Sequence, residues 1–183
     1  LQAAVGYRSE EVVQTTNERW SLVRAVRESD ERRVLLKGHL DSPRHTAAAA
    51  ASALLNEFEI TRSLDAARAL CPARVELSGE TPVLVFEDEG LVPLDALLAR
   101  APLRIAQLLS WAARMADALA EVHGGGVIHK HIQPQSFLVD PETGAVRLTH
   151  FMFSTRLRKE HPQAQSTVEE GRLPYMRRSR RAG

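Results

Sequence analysis

The chain has 183 residues, 44% hydrophobic and 26% charged, with a formal net charge of +1. That balance fits an ordinary soluble domain of one core or two small lobes, and offers no electrostatic basis for binding nucleic acid or an anionic membrane. The single cysteine, Cys71, excludes a disulfide framework and a cysteine-based zinc site, and no apolar run is long enough to span a bilayer.

In chain order, short β-branched runs at Glu11 to Val13 and Trp20 to Val26, parted by the polar stretch Gln14 to Arg19, predict two strands. Arg33 to Leu36 predicts a third, after the charged turn Glu28 to Glu31. Ser42-Pro43 offers an N-cap and a first-turn proline for a helix that continues through the alanines 47–51 to about Leu64. Val75 to Leu77 and Thr81 to Glu87 predict two more strands.

Past Asp88-Glu89-Gly90 the chain turns helical, first briefly over Pro93 to Ala99 and then at length over Leu103 to His123. In the longer helix Leu108, Leu109, Ala112, Met115, Ala116, Leu119 and Val122 recur at helical spacing, and Gly124-Gly125-Gly126 ends it. Ser136 to Val139 and Ala145 to Thr149 predict two hairpin strands about the turn Asp140 to Gly144. The fold class read from this order is α+β. Residues 1–90 form a five-stranded antiparallel small lobe with one helix, and residues 91–183 a mainly helical lobe with a basic tail.

Six segments in this order carry a family resemblance. They are Val34-Leu35-Leu36-Lys37; Glu57 within Asn56-Glu57-Phe58-Glu59-Ile60; Val83 to Gly90; the run Val127 to Ser136; Val146 to Met152; and Leu173-Pro174-Tyr175-Met176. Together they resemble the protein-kinase family from about Tyr7 to Tyr175. The Glu-Phe-Glu-Ile and His-Lys-x-Ile-x-Pro wording is similar to kinase-like domains that open large bacterial multidomain signalling proteins. The resemblance implies that Lys37 contacts nucleotide phosphates and pairs with Glu57. It also puts Phe86 at the gatekeeper position and Glu87 and Glu89 at the hinge, and has Leu22, Leu35 and Leu138 enclosing an adenine. By the same resemblance the large lobe is truncated, because the chain stops where the family continues with further helices.

The chemistry departs from the family at the positions that matter. Phosphoryl transfer rests on a base that orients the hydroxyl and on oxygen ligands that hold magnesium against the phosphates. Here the base position is His131, the asparagine position is Ser136 and the metal-binding aspartate position is His150, followed by Phe151 and then Met152 in place of glycine. Gln133 stands at the catalytic-loop lysine position, and Thr15, Asn17 and Trp20 fall near the three glycine positions of the phosphate loop. Imidazole is a poor substitute for a carboxylate toward magnesium, and loss of a general base alone costs about a hundred- to ten-thousand-fold in rate. Facing imidazoles would instead suit zinc, copper or nickel, so His131 and His150 are also the candidate ligands of a transition-metal site. His129 is expected to point into the core, while His39, His45, His123 and His161 are read as surface residues.

The reading that follows is a pseudokinase-type regulatory or scaffolding domain in signalling, with little or no phosphotransfer. ATP binding is expected to be weak and independent of magnesium. The alternatives are a divergent serine/threonine kinase using ATP, and a purely structural assembly module with a collapsed cleft. A truncated lobe leaves the stripe on Leu103 to His123 without cover, which implies a homodimer or a protein partner there. The lone cysteine and the lack of a signal peptide suggest a cytoplasmic setting, and the start at Leu1 suggests a piece of a longer protein.

Overall fold

A computed structural model describes residues 4–16, 19–40, 46–78, 81–100 and 103–157. Ser42, Pro43, His45, Asn17, His161, Leu173 to Met176 and the arginine-rich tail lie outside the described residues. The first half is an antiparallel sheet in the order β1-β2-β3-β5-β4, built from β1 (Tyr7–Thr16), β2 (Trp20–Arg27), β3 (Arg32–His39), β4 (Arg74–Ser78) and β5 (Thr81–Glu87). Helix α1 (Ala47–Thr61) lies between β3 and β4 in sequence.

Strand register decides which side chains share a face. Gln14 pairs with Leu22, Leu22 with Lys37 and Lys37 with Leu84, so these four form one row across four strands. The next row on the same face holds Arg24, Leu35 and Phe86. This face packs on α1 and the second half through a buried cluster that includes Trp20, Leu22, Leu35, Leu54, Phe86, Leu138 and Met152. Residues one position along point the other way, as the two-residue period of a strand requires. Ala25, Val34, Leu36, Val83 and Val85 make a second cluster there, covered by Ala4 and Tyr7. The Tyr7 hydroxyl crosses to the far edge strand, donating to Glu76 Oε1 at 2.8 Å and accepting from Arg74 Nη2 at 2.7 Å. Both faces of the central strands are therefore buried, which explains their near-continuous apolar sequence.

The N-cap of α1 is Thr46, whose Oγ1 accepts from the Ala49 amide at 3.3 Å, in place of the expected Ser42. The helix stops at Thr61 rather than Leu64, where Thr61 Oγ1 turns back to the Glu57 carbonyl at 2.8 Å. Asn56 Nδ2 donates to the carbonyls of Met152 (3.1 Å) and Ser154 (3.0 Å), fixing α1 against a one-turn 3-10 helix at Phe151–Phe153.

The second half begins with a two-residue strand β6 (Val92–Pro93), so Pro93 precedes the short helix α2 (Leu94–Arg100) instead of starting it. Helix α3 (Ile105–Gly124) follows, and Gly126, at φ 70°, takes the left-handed position after it. Strands β7 (Val127–Ile128), β8 (Phe137–Val139), β9 (Val146–Leu148) and β10 (Thr155–Arg156) complete the described residues, with β6-β8-β9 and β7-β10 as small sheets. The expected stripe on α3 is divided. Trp111, Ala118 and Val122 are buried, with Met115 and Leu119 packed beside them, whereas Leu109 is 65% exposed and Ile105 77%. Val122 is thus covered by the chain's own β7 to β9 region, contrary to the expectation of an open stripe. No helix among the described residues is long and apolar enough to cross a membrane.

Candidate functional site

The two halves meet at a cleft whose polar residues are almost entirely withdrawn from water. Lys37, Glu57, Ser136, His129, His131 and His150 are all at most 2% exposed. Lys37 comes from β3, Glu57 from α1, and His150 from the turn after β9. Lys37 Nζ donates to Glu57 Oε1 at 2.8 Å, to Oε2 at 2.7 Å and to His150 Nδ1 at 3.0 Å. An ammonium has three protons and no lone pair, so all three are taken by the protein. Burial holds the Lys37 pKa below its ordinary value, an effect that the Glu57 carboxylate opposes.

Because Lys37 can only donate, His150 Nδ1 must be the accepting nitrogen and Nε2 carries the proton. That Nε2–H points at Gln14 Oε1, 2.9 Å away, with Thr16 Oγ1 at 3.3 Å. Gln14 in turn donates from Nε2 to the Gln135 carbonyl at 2.9 Å. Burial, then the Lys37 charge and the neighbouring histidines, hold His150 well below the usual imidazole range, so it is neutral. Its backbone sits at φ 67°, a left-handed conformation that non-glycine residues rarely adopt.

His131 lies edge-on to His150, with ring centroids 6.2 Å apart, as the family resemblance implies for these two positions. Gln133 Nε2 donates to His131 Nε2 at 2.7 Å, which occupies the lone pair that a base would use. Ser136 Oγ donates to the His131 carbonyl at 2.5 Å and so braces the loop. His129 points into the core as expected: Nε2 donates to the Thr149 carbonyl at 2.8 Å and Nδ1 accepts from the His131 amide at 3.2 Å. Burial pushes its pKa down to about 4. His39 is half-buried rather than on the surface, edge-on to Trp20 at 5.4 Å.

A transition metal would need ring nitrogens that are free to coordinate. Both nitrogens of His150 already face protein partners, and no group of three or more His, Cys, Asp or Glu among the described residues is placed to hold a metal. The adenine-facing candidates Leu22, Leu35 and Leu138 do converge, but within one packed core cluster, each at most 3% exposed. Leu35 stands where the family's strand motif has alanine, and the extra bulk lies in that packing. Glu87 and Glu89 are exposed, and Glu89 Oε2 accepts from Arg147 Nη2 at 2.9 Å.

The sequence reading missed Gln14, Thr16 and Arg24. The first two sat in a stretch taken as a polar linker, although their spacing of two residues was the available sign that they share a strand face. Arg24 donates to Asp88 Oδ2 at 2.6 Å, to Glu11 Oε2 at 2.8 Å and to the Leu91 carbonyl at 3.4 Å, closing the hinge end of the cleft. Among known proteins, the family described as protein tyrosine and serine/threonine kinase matches residues 11–177. No curated protein gives a significant match to the chain.

Proposed function

The chain belongs to the protein tyrosine and serine/threonine kinase family, and we propose that within it this chain acts as a pseudokinase: a regulatory or scaffolding domain in signalling with little or no phosphotransfer. The observation that carries this reading is the imidazole of His150, which takes the Lys37 proton that the Glu57 pair leaves over. The amine that should meet a phosphate is held inside the protein, beside an imidazole where a metal-binding carboxylate belongs. His131 and Ser136 support the same reading, since one has its lone pair occupied and the other is turned onto backbone. An active serine/threonine kinase with unusual ligands would keep the Lys37–Glu57 pair but would need the contacts of His150, His131 and Ser136 to be replaced. The purely structural alternative draws on the closed packing of Leu22, Leu35 and Leu138.

Purified protein is expected to transfer no labelled phosphate to itself or to generic substrates, and ATP is expected to move its thermal midpoint little, equally with and without magnesium. Magnesium-dependent incorporation of label would overturn the proposal. A magnesium-dependent rise in ATP affinity of about tenfold, or ~1.4 kcal/mol, would count against the metal-independent part of it.

The partner we propose is a second copy, docked through the outer face of α3. Ile105, Leu109, Ala112, Ala113, Ala116 and Ala120 are exposed there and lie along one side of the helix. The residues named there carry no charge, with the exposed Asp117 at the border of the face, and the small size of the alanines allows two copies to approach in a self-complementary way. A side chain such as Leu109 contributes on the order of 1.5–3 kcal/mol when fully buried. Light scattering at micromolar concentration is expected to give a dimer for the native chain and a monomer for Leu109→Asp. A native chain that stays monomeric would remove the partner.

A further inference from the structure

We propose that His150 is an internal latch, holding the two lobes closed without a nucleotide by linking Lys37 on one ring edge to Gln14 on the other. The proposal rests on the non-catalytic reading of the cleft and adds how its closed state is kept. A directional chain of hydrogen bonds runs from Lys37 through His150 and Gln14 to the Gln135 carbonyl, with Glu57 anchoring its start. It passes from α1 and β3 of the small lobe to His150, back to β1, and on to the loop before β8. Glu57, Lys37 and His150 are at most 1% exposed and Gln14 is 7%, with Gln135 half-buried at the end of the chain, so solvent competes little for the inner bonds.

The chemistry of the chain selects imidazole. Toward Lys37 it must accept, and toward Gln14 Oε1 it must donate, which a neutral ring does on opposite edges. A carboxylate at this position accepts from Lys37 but has no proton for Gln14 Oε1. Flipping the Gln14 amide would not mend this, because its oxygen would then face the Gln135 carbonyl. His150 therefore closes a connection that an aspartate at the same position of this chain would leave open. Arg24 makes a separate tie at the hinge, to Asp88 and the Leu91 carbonyl, so the latch is specific to the phosphate end of the cleft.

Hydrogen exchange on the full chain tests the latch. His150→Gly removes the ring, and its backbone tolerates the left-handed conformation at residue 150. Amides of 12–16 and 129–136 are expected to exchange about tenfold faster than in the native chain, with β2 and β3 unchanged, and free imidazole is expected to restore protection. Gln14→Ala, which keeps the ring, should loosen the same two segments without rescue by imidazole. It decides the matter alone if His150→Gly does not fold. Native exchange rates in those segments, or acceleration spread evenly through β2 and β3, would overturn the latch. Absence of phosphotransfer is measured separately, so failure of the latch leaves the pseudokinase reading standing, and label transfer by the native chain would remove that reading without touching the exchange result.

Discussion

Lys37→Met is expected to lower the unfolding free energy by about 3–5 kcal/mol, the range for removing one partner of a buried ion pair. The reason lies in what is left behind. Glu57 is 0% exposed, both of its oxygens receive Lys37 protons, and His150 Nδ1 depends on the same amine. Methionine fills much of the volume but offers no donor, leaving a carboxylate buried without its partner. The double variant Lys37→Met/Glu57→Leu removes both polar partners and should recover at least half of the loss, since well-packed apolar replacements of buried pairs are often near neutral. Urea titrations of the native chain and the two variants give the comparison. A single-variant cost below about 1 kcal/mol, or a double variant no more stable than the single, would show that the pair is not held as described.

Acid should act through a different residue. His129 has its pKa pushed down to about 4 from 6.5 by burial, while an unfolded chain takes up that proton near the ordinary value. Between these pH values the unfolded state binds more protons than the native one, so stability falls as pH falls. His129 alone should account for roughly 3 kcal/mol over this window. His150, depressed by burial and by Lys37, acts in the same direction. Protonating His129 would take Nδ1 away from the His131 amide and put a charge against Phe151, whose ring is edge-on at 4.8 Å. Urea-derived free energies measured across the window should show the decline, and His129→Phe, less stable overall, should show a shallower one. A flat profile for the native chain would contradict the buried neutral state of His129.

The sequence itself determined the order of elements and the family. Short β-branched runs and turn residues marked the five strands of the sheet, and Lys37, Glu57, His131 and His150 stood at recognisable intervals along the chain. These features are local, or fixed by spacing, and survive in one dimension. The positions proposed as replaced catalytic residues rest on the same spacing.

Only the tertiary structure decided what those residues touch. Gln14 lies 136 positions from His150 and 121 from Gln135, and Arg24 lies 64 from Asp88, so no local pattern could pair them. Helix spacing likewise grouped Val122 with Leu109 on α3, although packing buries Val122 and Trp111 and leaves Leu109 exposed. A helical period reports which residues are apolar, but which side is covered depends on where β9 and its neighbours pack. The cleft follows the same rule. Residue identities show only that position 150 is an imidazole, whereas strand register and burial are what set that imidazole between an ammonium donor and an amide acceptor.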